Sequence, residues 1–388
     1  MHKNVIKHEV DKCIRLKDNL LAEQSRAEQS RAEQSRAEQS RAEQSRAEQS
    51  LSFSRRFSWL DILKGIGIIL VLIGHIYSND VVYTWLYSFH MPLFFVAAGC
   101  LYREKPILTD VKRRIQTIVI PYLSFGFVIL VYWQLIERRF RESYMSFGGS
   151  FLGLLSGEYQ YLDFNVHLWF LPCFFVTVVV FNALVLLGDS FKIGKRLAYI
   201  VSVMMSIVLI LTDNAGLTLP DMLWGFDRTF KYIGFYAVGC VLHEHKIDGV
   251  VRKNLRGNPS SASVICVAVL LAINFGLSYA GLTTGVMWFV TALTGVAAVT
   301  IMAMLIDHNR MLEYFGRVSL VILCVHGPVY RVIVKIVSIL VGMSTDAVRE
   351  NVFLAMFVVA LALAVCNAVY EVVIRIAPWM VGKSRKSA

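Results

Sequence analysis

The chain has 388 residues, 56% of them hydrophobic and 17% charged, with a net charge of +11 and a mean hydropathy of +0.55. That much apolar surface exceeds what a soluble domain buries, which excludes a soluble globular protein. The excess cations sit in short loops between long apolar runs, so they speak for membrane topology and attraction to a lipid surface, and no nucleic-acid patch is visible.

The first 50 residues are polar, and AEQSR repeats five times from Ala22 to Arg46, followed by AEQS at 47–50. Five helical residues advance about 500°, so each repeat is rotated about 140° from the last and no apolar stripe forms. Residues 1–56 are expected to be a cytoplasmic, solvated tail, a fraying helix or disordered. The repeat reads differently as a genetic device. The five-base unit GCAGA, repeated, gives GCA GAG CAG AGC AGA, which encodes Ala-Glu-Gln-Ser-Arg. About a thousand five-base units exist against about three million pentapeptides, so chance agreement is rare for a repeat of this kind. The expectation is a pentanucleotide tract whose slippage shifts the frame and switches expression; an in-frame 15-base duplication is the alternative. No cleavable signal peptide is expected, because the first apolar run already has full spanning length.

Ten spans follow in chain order, at 59–78, 83–102, 115–136, 167–187, 197–212, 229–243, 261–280, 286–306, 317–341 and 351–377. All should be helical, since lipid offers no partners to an open backbone. The fold class is therefore all-α and polytopic, with a membrane domain over 57–377 and a short basic tail over 378–388. With the N-terminus cytoplasmic, lysines and arginines crowd the inner loops and C-terminal tail, whereas the outer loops hold few, Arg138, Arg139, Arg141 and Arg349 among them. Both termini should then be cytoplasmic. Six of the seven cysteines fall in predicted spans and none forms CxxC, so they read as apolar packing residues without disulfides.

The first span, WLDILKGIGIILVLIGHIY, carries Asp61, Lys64 and His75. An ionisable side chain at membrane depth costs roughly 2.5–3.5 kcal/mol, so such residues ask for a function. At about 1.5 Å of rise per residue, Lys64 and His75 stand roughly 16 Å apart, one near each face. His90 opens the second span, Asp163, His167 and Trp169 stand at the start of the fourth, and His326 precedes Gly327-Pro328, where a kink is expected. These histidines can converge in the outer half of a bundle. Plainer readings exist for each: His326 as a helix–helix hydrogen bond, His90 and His167 as boundary residues, Lys64 snorkelling beside Asp61. His243-Glu244-His245 lacks HExxH spacing, so no metal is expected, and neither a Walker A loop nor a GxSxG elbow is present.

Together these segments resemble the acyltransferase 3 family of integral membrane acyltransferases, which includes many bacterial polysaccharide O-acetyltransferases. The resemblance rests on Lys64 followed after ten positions by His75, on SFHMPLFFVAAG at 88–99, on Lys112, Arg113 and Arg114 ahead of Ile120-Pro121-Tyr122-Leu123, on HLWFLPCFF at 167–175 and on the SL…HGPV segment at 319–329. It covers about 57–377. Many members have two arginines three apart before the third span, whereas Gln116 and Thr117 follow here. Many also carry an extracytoplasmic hydrolase-like domain after the last span, so this chain is expected to be a stand-alone form.

The resemblance implies a multi-pass protein of the bacterial inner membrane that moves an acetyl or longer acyl group from acyl-CoA to a sugar hydroxyl of a cell-surface glycan or glycolipid. Lys64, Arg113 and Arg114 would hold the donor's phosphates. His75 would take the hydroxyl proton as a general base or be acylated first, with His326 orienting it or stabilising the oxyanion. His90, Asp163, His167 and Trp169 would meet the sugar. A secondary transporter is the rival, although no two-fold repeat or paired Gly/Pro-interrupted spans are present.

Overall fold

Apolar runs of this length bury their backbone polar groups only by closing every hydrogen bond within the run, and helices do that. In a computed structural model, which describes residues 58–141, 145–217, 219–246, 249, 251 and 261–383, every regular element described is helical. The repeat-bearing tail and residues 384–388 lie outside the described residues.

Helix α1 is Ser58–Ile76. The second span breaks into α2 (Asp80–Tyr87) and α3 (His90–Gly99). Helix α4 (Ile107–Arg114) runs through a π-turn at Ile115–Val119 into α5 (Ile120–Leu135). Pro121 has no N–H for the carbonyl four residues back, which loosens the ladder where that wider turn forms. A short apolar helix that the sequence reading passed over, α6 (Phe147–Ser156), is capped by Ser146 and by left-handed Gly157; its 10 residues fall well short of a span. Helices α7 (Phe170–Ser190), α8 (Lys195–Asn214), α9 (Phe226–Glu244), α10 (Ser261–Tyr279) and α11 (Gly285–Ile306) follow. The chain then forms α12 (Arg310–Val341), the short α13 (Thr345–Glu350) and α14 (Val352–Ile376).

Among the described residues nine helical stretches are long and apolar enough to cross a membrane, one fewer than expected. The tenth, α9, has 19 residues but carries Asp227, Arg228, Lys231 and Glu244. It packs against α3, α7 and α8, so its polar groups meet protein: Asp227 accepts from the Met222 amide, and Arg228 pairs with Asp221 at 2.9 Å. Burial is uneven around the bundle. The most apolar stretches of α1 and α12 are each 61% buried and that of α10 only 17%, which marks α10 as a peripheral helix. None of the six described cysteines forms a disulfide, and five of them are buried.

Glycines set the close crossings. A Cβ on Gly65 would strike the Leu312 backbone, and one on Gly316 would strike the backbone of Asp61, so α1 and α12 touch main chain to main chain. His75 lies ten residues past Gly65, and His326 ten residues past Gly316. Two helices leaving one crossing deliver both imidazoles at the same depth, about 15 Å away.

Candidate active site

His75 occupies the last turn of α1, where helix carbonyls have no intrahelical partner. Arg349 of α13 supplies one: its guanidinium donates to the carbonyls of Ile76 (3.2 Å) and His75 (3.3 Å), and its own carbonyl accepts from the Ser78 amide. A cation at a helix C-terminus is favoured by the dipole as well. Gly74 lets Tyr87 come close, since a Cβ there would lie 3.2 Å from the Tyr87 ring. The Tyr87 hydroxyl stands 2.6 Å from His75 Nδ1, which leaves Nε2 as the ring's free nitrogen.

His326 is fully buried in α12, with Nδ1 donating to the carbonyls of Ile322 (3.0 Å) and Leu323 (2.9 Å). Its Nε2 is buried and has no hydrogen-bond partner. Two residues on, Pro328 lacks the N–H that Cys324's carbonyl would receive in an unbroken helix, yet α12 continues through it. Asn165 takes up that carbonyl instead, its Nδ2 donating to Cys324 at 2.7 Å. The amide orientation is then fixed, and its Oδ1 accepts from His167 Nδ1 at 3.0 Å. Gly327 makes room for this arrangement, because a Cβ there would fall 2.7 Å from Asn165 Oδ1 and 2.9 Å from His167 Nδ1. His-Gly-Pro thus positions two histidines, its own and one on another span.

The three rings form one cluster, with centroids 4.1 Å apart for His75–His167, 4.4 Å for His167–His326 and 5.4 Å for His75–His326. A cavity of about 810 Å³ opens from it to the bundle end that bears Arg349, lined by Tyr77, Tyr83, Tyr87, Tyr159, Asp163, Trp169 and Tyr330 along with His75 and His167. Asp163 is paired with Arg141 at 2.9 Å, and Arg228 lies over the rings of Tyr159 and Trp169. Such a mixture of aromatic faces and oriented polar groups is suited to binding a polyhydroxylated ligand.

A second cavity of about 250 Å³ opens from the other end of the bundle. Lys64, Arg113 and Arg114 line it, and Ile68, Phe94, Phe170, Leu171 and Leu323 make its apolar walls. Lys64 is also paired with Asp61 at 2.7 Å, and Arg114 with Asp110 at 3.4 Å. The two cavities share no lining residue. Phe94 and Phe170, edge to face at 6.0 Å, belong to this cavity and not to the larger one, and His326 lines neither.

The fold therefore brings Lys64, Arg113 and Arg114 together, gathers His75, His167 and His326, and sets Asp163 and Trp169 on the larger cavity's wall. His90 is a correction. It is 1% exposed and lines neither cavity; its Nδ1 donates to the Leu86 carbonyl at 2.6 Å, and its ring packs edge-on against Tyr87. It braces the tyrosine that holds His75 and has no face for a sugar. His167 is more central than a boundary residue. His326, with Nδ1 spent on backbone carbonyls, presents a lone pair at Nε2 and is a poor oxyanion donor as a neutral ring. Asn165, Tyr87 and Arg349 were missed; for Asn165 the available signal was a proline-orphaned carbonyl in need of a donor.

A bundle of apolar helices with a histidine cluster at one cavity and three cations lining a second, unlike one defines a polytopic membrane protein with two candidate ligand sites. The acyltransferase domain that characterises the acyltransferase 3 family matches residues 57–371, and the chain belongs to that family. Over 179 residues it is 29% identical to the nodulation protein NolL of Sinorhizobium fredii (strain NBRC 101917 / NGR234), a match covering 43% of this chain and about half, 47%, of that relative. No solved structure matches. The family's description is that of an enzyme domain and not of a transporter.

Proposed function

We propose that the protein transfers an acetyl or longer acyl group from cytoplasmic acyl-CoA, acetyl-CoA foremost, to a sugar hydroxyl of a cell-surface glycan or its lipid-linked precursor. The observation that carries this reading is the chemical contrast of the two cavities across one histidine cluster. The Lys64 cavity has cations for phosphate at its mouth and an apolar throat for the acyl-pantetheine arm. The His75 cavity is lined with phenols and an indole suited to sugar faces. With both termini cytoplasmic, as the loop cations require, the Lys64 cavity faces the cytoplasm of a bacterial inner membrane and the His75 cavity faces outward.

In the reaction, Nε2 of His75 takes the acceptor hydroxyl's proton while that oxygen attacks the thioester carbonyl. The tetrahedral intermediate expels CoA thiolate, which recovers the proton from the imidazolium, and ester and free thiol leave at opposite ends. Tyr87 and Arg349 position His75; Asn165 positions His167. Phe94 and Phe170, edge to face on the wall of the Lys64 cavity, act as a layer that keeps water from the thioester until an acyl arm parts it. The AEQSR tract adds that expression is phase-variable by slippage of a five-base repeat.

The test is reconstitution in vesicles with labelled acetyl-CoA inside and a glycan acceptor outside. Label should appear on the glycan in an ester that mild alkali removes. Transfer that proceeds at the wild-type rate in the His75→Ala protein would overturn the assignment. Sequencing the repeat settles the genetic reading, since any codon outside the five given by GCAGA defeats it.

A further inference from the structure

We propose that His75, His167 and His326 form a binding site for a divalent transition metal of the zinc class, and that its occupancy blocks acyl transfer.

The three side chains each offer a ring nitrogen, and these nitrogens lie within 4.8 Å of one another. Tetrahedral zinc with Zn–N bonds of about 2.0–2.1 Å separates its nitrogens by about 3.3–3.4 Å, a contraction within reach of small side-chain rotations. The other nitrogen of every ring is already engaged: His326 Nδ1 by two backbone carbonyls, His167 Nδ1 by Asn165 Oδ1 and His75 Nδ1 by the Tyr87 hydroxyl. Ligating histidines use this outer-shell pattern to fix tautomer and ring direction. Nε2 of His326 stands buried without a hydrogen-bond partner beside two other imidazoles. A cation would satisfy it.

Three neutral nitrogen donors without a carboxylate select zinc, copper, nickel or cobalt over magnesium or calcium. The fourth position would face the His75 cavity, where water or an acceptor hydroxyl can sit. The Nε2 electron pair of His75 either takes a proton or binds a metal, so occupancy and catalysis exclude each other. That consequence rests on the reading of His75 as the base; metal binding itself does not.

Full-length protein in detergent, stripped with EDTA, is titrated with zinc against a chromophoric chelator. One zinc per chain should bind with micromolar or tighter affinity, weakened at least tenfold in His326→Ala and in His167→Ala, with helical content checked by circular dichroism. Asn165→Ala, which keeps all three rings but frees His167, should weaken binding less. Labelled-acetyl transfer should fall along the same zinc curve and return with EDTA, while millimolar magnesium does neither. Absence of binding, or equal affinity in the histidine variants, overturns the site and leaves the proposed function standing. If EDTA abolishes transfer and zinc restores it, the inhibition claim and the general-base role of His75 both fall.

Discussion

The Lys64 cavity has three cations at its mouth and an aliphatic and aromatic throat, whereas the His75 cavity, about three times as large, has tyrosines, a tryptophan and charged pairs around an open mouth. The first is suited to a ligand with a charged head and a narrow flexible arm, the second to a broad polar ligand. On the proposed function, that difference teaches how one small bundle can keep two substrates in separate compartments and still let them react. Each cavity carries its own recognition chemistry: phenylalanines wall the first, and His75 and His167 line the second.

Removing the shared element should have the largest effect. His75→Ala is expected to lower transfer by 100-fold or more, in line with loss of a general base worth about 10²–10⁴, with abundance and helical content unchanged. Wild-type acetylation by this variant would dissolve the contrast into coincidence. Next in size is Asn165→Ala, which leaves the Cys324 carbonyl and the His167 ring without partners. A buried group so stranded costs about 1–3 kcal/mol. The expected result is a lower thermal midpoint and a fall in kcat of about tenfold or more; an unchanged kcat would reduce Asn165 to a structural role.

The two mouths should then separate cleanly. Arg113→Ala, with Arg114→Ala as its companion, should raise the KM for acyl-CoA by about tenfold, since a hydrogen bond to a charged group contributes about 1.5–3 kcal/mol, and leave the acceptor KM alone. Trp169→Ala should do the reverse by a smaller factor. Raised KM for both substrates in either variant would show that the cavities are not independent. Smallest is the leak: Phe170→Ala thins the layer, and acyl-CoA hydrolysis without acceptor, followed by thiol release, should rise a few-fold.

Much of the fold was legible because lipid leaves the backbone so few options. Nine of the ten expected spans exist as apolar helices, and the exception, α9, carries charges that only packing against α3, α7 and α8 could accommodate. Lys64, Arg113 and Arg114 could be placed together because loop cations and helix rise fix their end of the bundle. His75 and His326 could be expected to converge in the outer half of the bundle for the same reason, but their common depth came from the glycine-set crossing of α1 and α12. His90 could not be told from a sugar contact, because its role depends on which face of α3 turns toward Tyr87. Asn165 was invisible without knowing that the fourth span's entrance touches the carbonyl orphaned by Pro328.

The sequence by itself determined the all-helical membrane class, the ends at which each ionisable residue stands and the candidate histidine of the first span. Periodicity, length and hydropathy act locally and survive without knowledge of neighbours. Only the tertiary structure decided that His167 joins the cluster, that His90 packs against Tyr87 behind it, and that the cluster opens to one cavity while the cations line another. Those outcomes depend on glycine-set helix crossings and on single hydrogen bonds between residues more than a hundred positions apart, such as Asn165 to Cys324, and no local pattern encodes a partner at that distance.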